Sequence, residues 1–178
     1  MAVIKTKGGI FMILDKARPE EAERCSEIID DGRAFQKAQG FEQWTEDYPN
    51  LDNIKEDIKN GKGYVLRDED GIAAYMCIDL DGEPAYKDIR GDWRLDEPYA
   101  VVHRMAFSAD RQGKGLSTEA FRLIDEACLS MGVRYIRIDT APDNKRMQHV
   151  MEKNGFVRCG VKVFQGSDKW AYDKIITA

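Results

Sequence analysis

The chain has 178 residues, 43% of them hydrophobic and 33% charged, and carries a net charge of −5. That length fits a single domain, residues 1–178, whose core needs neither disulfide nor metal, and the acidic balance leaves no electrostatic footprint for nucleic acid. Cys25, Cys77, Cys128 and Cys159 form no CxxC pair and have no nearby histidine at zinc spacing, so they indicate neither a disulfide framework nor a metal site and read as small core residues in a reducing cytosol.

The stretch "GGIFMILDKA", residues 8–17, is too short an apolar run for a signal peptide and is cut by Asp15. Nothing approaches the roughly 20 apolar residues of a membrane span. The expectation is a cytoplasmic protein that avoids membranes.

The first predicted element is a strand, "IFMIL" at 10–14, followed by a helix whose first turn suits Pro19. Ala22, Cys25, Ile28 and Ile29 recur at helical spacing between Glu20 and Gln39, and Gly40 ends the run. A second helix over 50–61 places Leu51, Ile54 and Ile58 on one face and stops at Gly61. Between the helices "FEQWTEDYP" is polar except for Trp44 and Tyr48. Two apolar stretches around "DEDG" then read as a hairpin, and Tyr99–Phe107 reads as a further strand. In "STEAFRLIDEACLSMG", Ala120, Phe121, Ile124, Ala127, Cys128 and Met131 fall on one helical face, closed by Gly132. "VRYIRID" is a strand, "NKRMQHVMEKNG" a helix ended by Gly155, and "FVRCGVKVF" with "KWAYDKII" a last hairpin around "QGSD". The order is strand, two helices, antiparallel meander, helix, strand, helix, hairpin: a mixed α/β fold.

The stretch that carries chemistry is "DRQGKGLSTEAF", residues 110–121, which joins a strand to a helix. A helix start has four N–H groups without partners, and with the helix dipole they make a ready anion site. Gly113 and Gly115 allow positive φ and close approach of a bulky ligand, and Lys114 adds charge. A Walker loop fails twice, with Ser108 where its first glycine belongs and Gly115 in place of Ser or Thr. A dinucleotide fingerprint fails at Thr118 and lies in mid-chain behind a meander. A dinucleotide-binding oxidoreductase is therefore a weak third reading.

The segment from Gln112 to Ser117 resembles the pyrophosphate loop of the GNAT N-acetyltransferase superfamily, Q/R-x-x-G-x-G/A, departing only at Ser117. "HRMAFSADRQGKGLSTEAF" looks like that family's cofactor strand, loop and helix, and "DNKRMQHVMEKNGF" looks like its second motif. The order of elements is also the family's. The resemblance implies a central mixed, mostly antiparallel sheet in which two parallel strands splay apart, flanked by about four helices. It implies acetyl-CoA as cofactor, with backbone groups of Met105, Ala106 and Phe107 along the pantetheine arm. It further implies that Gln112, Gly113, Lys114, Gly115, Leu116, Ser117 and Thr118 hold the pyrophosphate, and that Asn144 reaches the cofactor arm or caps the following helix.

The implied reaction is attack of an amine on a thioester. An alkyl ammonium with a pKa near ~10 must lose its proton first, which calls for a base near neutrality. His103, two residues before Met105 and so on the same strand face, matches a histidine that arylalkylamine acetyltransferases of the family use for this; its other reading is a buried structural histidine. His149 reads as surface. Many family members place a tyrosine on the last helix to protonate the leaving thiolate, and Met151 stands in that place. Trp44, Tyr48 and Trp93 are candidates for an aromatic wall around the acceptor, and Asp139 for orienting His103, binding the amine or capping a turn. The expected partner is a small-molecule or peptide amine, with the protein a monomer or homodimer. The competing class is an acyl-CoA-binding sensor without catalysis.

Overall fold

The structure, a computed structural model, describes residues 4–5, 11–164 and 166–177. Residues 8–10 of the first apolar run and Gln165 of the last turn lie outside them. In chain order the elements are β1 (Ile4–Lys5), β2 (Phe11–Lys16), α1 (Ala22–Ala38), α2 (Leu51–Lys59), β3 (Gly63–Asp68), β4 (Gly71–Asp79), β5 (Arg90–Gly91), β6 (Ala100–Phe107), α3 (Leu116–Ser130), β7 (Tyr135–Thr140), α4 (Lys145–Lys153), β8 (Val157–Phe164) and β9 (Ser167–Ile175). The class is the expected one, a mixed and mostly antiparallel sheet with four helices among the described residues. No described helix is long and apolar enough to cross a membrane.

Two compact units are formed, each from two stretches of chain: residues up to Ile78 with His103–Ile124, and Asp79–Val102 with residues from Asp125 on. In the first unit β1, β2, β3 and β4 follow one another antiparallel, and β4 neighbours β6. Pro19 opens a 3-10 turn, Pro19–Glu21, before the α-helix begins, and the Glu21 carboxylate accepts from the Arg18 N–H at 2.9 Å. The predicted apolar stripe of α1 is the buried one: Cys25, Ile28 and Ile29 meet Ile54 and Ile58 of α2, Val65, Tyr75 and Ala106. Asn50 caps α2, its side chain accepting from the Asp52 and Asn53 N–H groups while Asn53 accepts from Asn50 N–H. Gly32, in mid-helix, faces a crowd: a Cβ there would lie 2.8 Å from Trp44 Cζ3 and 2.9 Å from Ala106 Cβ.

In the second unit β6 and β7 run parallel, with Ala100 against Ile136 and Val101 against Arg137, and β7, β9, β8 and β5 continue antiparallel. Sequence reading missed β5 and the 3-10 turn Pro84–Tyr86, both inside the long connection between β4 and β6. This strap is anchored by polar groups. The Asp173 carboxylate, fully buried, accepts from Arg94 Nε and from the Tyr135 hydroxyl, each at 2.5 Å. The Arg137 guanidinium lies 4.4 Å from the Trp93 ring centre and 3.9 Å from that of Tyr99, and donates to the Leu95 carbonyl at 3.0 Å.

The apolar face of α3 differs at its end from the predicted one. The helix stops at Ser130, so Met131 falls past it and is exposed, while Leu123 joins Ala120, Phe121, Ile124 and Cys128 in the core. Tyr99 precedes β6, and Cys159 is half-buried, unlike the other three cysteines.

Replacing a mid-helix glycine by alanine ordinarily favours the helix by about 1 kcal/mol. Because the new methyl would strike Ala106 and the Trp44 ring, Gly32→Ala should instead destabilise the protein by about 1–3 kcal/mol, read by denaturant titration.

Candidate active site

Strand β6 should place His103 and Met105 on one face if its alternation is unbroken. It is broken: Arg104, between them, has φ +53, a left-handed conformation that bulky residues rarely adopt. The strand therefore turns at Arg104, and the same-face relation of His103 and Met105 does not follow from period two. Met105 and Ala106 are buried, whereas His103 and Phe107 are partly exposed.

What holds Arg104 is a buried carboxylate that sequence reading did not identify. Asp57 on α2, 5% exposed, accepts from Arg104 Nε at 2.9 Å and from a terminal guanidinium nitrogen at 2.5 Å. The same carboxylate accepts from the Tyr75 hydroxyl at 2.8 Å. Burial, the largest single influence, works against the Arg104 charge, but the hydrogen bonds to Asp57 together with the electrostatic pull of Tyr48 and Asp57 outweigh it and raise the guanidinium pKa. Burial, with the Asp57 charge beside it, pushes the Tyr75 phenol far up. The signal available in the sequence was an arginine that, with His103 beside it, interrupts the otherwise apolar run "YAVVHRMAF".

Past Phe107 the chain makes a 3-10 turn, Ala109–Arg111, and enters the glycine loop. The Ser108 hydroxyl accepts from Arg24 at 2.9 Å and donates to Asp110, and the Ala109 N–H donates to Asp31 at 2.8 Å. Arg111 is clamped by Asp68 of the β3–β4 hairpin, at 2.7 and 3.1 Å. The Gln112 amide donates back to the Phe107 carbonyl at 3.1 Å and to the Asp31 carbonyl at 3.4 Å, so its side chain braces the loop. Gly113 and Gly115 take φ +77 and +73, and a Cβ at either would meet nothing within 4 Å. The loop is thus an open, exposed cradle of backbone bearing Lys114, ending where Leu116, Ser117 and Thr118 begin α3.

The aromatic loop of the first unit is rigidly held. Buried Gln36 accepts from the Gln43 and Trp44 N–H groups, both at 3.1 Å, and Arg33 donates to the Thr45 carbonyl at 2.7 Å and the Pro49 carbonyl at 2.8 Å. Trp44 packs beside Gly32 and Ala106, and the Tyr48 hydroxyl accepts from Arg104 at 2.7 Å. Trp44, Tyr48, the end of β6 and the glycine loop are therefore gathered in one unit.

The remaining candidates lie in the second unit. Asp139, near the end of β7, accepts from the Tyr86 hydroxyl at 2.7 Å and from Lys162 at 2.8 Å. Trp93 donates its indole N–H to the Tyr86 carbonyl at 2.9 Å, so Trp93 and Asp139 share Tyr86 as a neighbour. Asn144 caps α4, accepting from the Met147 N–H at 3.1 Å. Met151 is fully buried, and His149 is exposed as expected. No metal-binding group of side chains is present among the described residues.

The Acetyltransferase (GNAT) family model matches residues 26–156. The chain belongs to this family. A GNAT acetyltransferase from Streptococcus agalactiae is 32% identical and superposes with a TM-score of 0.84, covering 94% of this chain and 96% of that one. A second, from Listeria monocytogenes, shares the fold at 23% identity, with a TM-score of 0.77 over 98% of this chain and 100% of that one. An aminoglycoside acetyltransferase solved with coenzyme A and kanamycin shares it at 19% identity and a TM-score of 0.67, over 92% and 94%. No curated protein sequence matches the chain. GNAT acetyltransferases take their acetyl group from acetyl-CoA, and the acetyltransferase described here uses the same cofactor. Its glycine loop, roomy at both glycines and lined by backbone, fits a pyrophosphate.

The clamp on Arg111 sets a pH limit. The Arg111 hydrogen bonds hold the Asp68 carboxyl below the usual carboxylate range. The pair therefore stabilises the folded acetyltransferase above the ordinary value near ~4, and that stability is lost as the pH falls through the lowered one. Asp68→Asn should flatten the acid limb of a melting-temperature profile. Gly115→Val, strained at positive φ and with its side chain in the cradle, should abolish stabilisation by acetyl-CoA in a thermal-shift assay.

Proposed function

We propose that this GNAT acetyltransferase is an N-acetyltransferase acting on a primary amine of a small molecule or peptide. The observation that carries this is the open left-handed glycine cradle between β6 and α3, in a chain of this family. The aminoglycoside acetyltransferase with kanamycin shows that the fold can serve an amine acceptor. In this reading both units form one catalytic domain, and the four free thiols suit the reducing cytosol.

Acetyl-CoA supplies an acyl thioester. Backbone N–H groups from Gln112 to Thr118 hold the pyrophosphate, Lys114 adds charge, and backbone groups of Met105, Ala106 and Phe107 align the pantetheine arm, with Asn144 as a further contact beyond its cap. A neutral imidazole nitrogen of His103 takes the proton from the acceptor ammonium; the amine forms its new N–C bond as the C–S bond breaks, coenzyme A leaves as the thiolate, and the second proton of the acylated nitrogen passes to that thiolate or to water. Trp44, Tyr48, Trp93 and Asp139 are the residues assigned to the acceptor. Met151 has no proton to give, and its burial keeps the second reading, a catalytically silent acyl-CoA sensor, in view.

Acetyl-CoA should raise the melting temperature and NAD should not. His103→Ala should lower kcat by roughly 10²–10⁴-fold at neutral pH with cofactor affinity nearly unchanged, and higher pH should partly restore it. Free CoA release measured over a panel of amines tests this. Unchanged turnover would reduce His103 to a packing residue, and tight acetyl-CoA binding without turnover on any amine would favour the sensor.

A further inference from the structure

We infer that Arg104 is a positioning residue and Tyr48 a specificity-determining one, selecting amines that carry a neutral oxygen, a hydroxyl or carbonyl, near the nitrogen. The inference rests on the acceptor reading proposed above.

A left-handed backbone at a long side chain costs about 1–3 kcal/mol and survives only where the surroundings over-determine it. Here the surroundings are the Asp57 carboxylate, which takes two of the Arg104 nitrogens at 2.9 and 2.5 Å and is itself fixed by Tyr75 at 2.8 Å. The third nitrogen of the fork donates to the Tyr48 hydroxyl at 2.7 Å, and the guanidinium sits 5.8 Å from the centre of that ring. Gln36 and Arg33 hold only the backbone of the aromatic loop. Arg104 holds its aromatic side chain, and does so from the strand that carries His103 and Met105.

The chemistry of this contact is directional. A guanidinium is a permanent donor with no acceptor capacity. The Tyr48 oxygen therefore spends a lone pair on Arg104 and keeps its own O–H proton to donate elsewhere. Tyr48 is 50% exposed, so that proton is available to a ligand. A bound molecule offering an oxygen there gains a hydrogen bond, and one offering only a methylene leaves the hydroxyl to water. The exposed neighbours Glu46 and Asp47 disfavour a carboxylate as that oxygen and leave a neutral hydroxyl or carbonyl.

The test compares a primary amino alcohol with the alkylamine of equal length, using acetyl-CoA and measured kcat/KM for each, with acetyl-CoA affinity determined separately. Wild-type protein should prefer the amino alcohol about tenfold, chiefly through KM, consistent with one hydrogen bond. Tyr48→Phe, at an exposed position, should erase that preference and leave acetyl-CoA affinity within about twofold. Arg104→Gly, which keeps the left-handed backbone accessible, should erase it too, and adding Tyr48→Phe should then change nothing more. Equal use of both amines by wild-type protein, equal losses on both in Tyr48→Phe, or additive effects in the double variant would overturn the inference and leave acetyl transfer standing. No transfer to any amine from wild-type protein would overturn the proposed function as well.

Discussion

A buried carboxylate beneath a left-handed arginine is the constraint on which the first unit depends. Asp57 would be costly to desolvate alone, since an unpaired buried charge loses several kcal/mol of hydration. It is tolerated because Arg104 and Tyr75 satisfy both its oxygens. The arginine in turn tolerates its backbone because the pair fixes it. Each half of the arrangement removes the penalty of the other, so α2, β4 and the turning point of β6 are tied at one place. That turning point separates the first part of the strand, Ala100–His103, from Met105–Phe107, which lead into the glycine loop.

The loop is held on a similar plan. Its backbone is left open, and the bonds that define its shape come from either side: Arg111 to Asp68, Gln112 to Phe107 and Asp31, Ala109 to Asp31. A cradle for a charged ligand cannot be stiffened by filling it, so it is stiffened by its approaches. The second unit solves a different problem, a long connection with little regular structure. Such a segment needs partners for its backbone and a reason to stay put. It finds them in the buried Asp173 carboxylate, in the aromatic faces around Arg137, and in the contact of β5 with β8, where a Cβ on Gly91 would lie 2.2 Å from the Cys159 carbonyl oxygen.

The sequence made legible what rests on periodicity and local turn chemistry. The helices α1 to α4, the hairpin around Asp68 and Gly71, and the loop with its paired glycines all follow from spacing and from Gly, Pro and Asn placement. The two-residue strands β1 and β5 carry no period to detect. The left-handed Arg104 was hidden because period-two alternation through "YAVVHRMAF" reads as an unbroken strand. Asp57 and Gln36 look like surface residues of amphipathic helices, and only the tertiary structure gives them a half-buried arginine or a loop backbone to bind. Of the two readings of Asn144, the structure displays the helix cap.

The interleaving of the two units also sets an order of assembly. Everything the first unit needs has been synthesised once Ile124 is made, but by then the strap has been made too, and the groups that anchor it have not. Tyr86, Trp93 and Tyr99 emerge from the ribosome ahead of Arg137 on β7, Lys162 on β8 and Asp173 on β9. During translation the first unit can close while an aromatic-rich internal loop waits without its partners. Until β7 to β9 are made, the segment carries aromatic surface without its partners, the condition that makes a partly folded chain prone to aggregate.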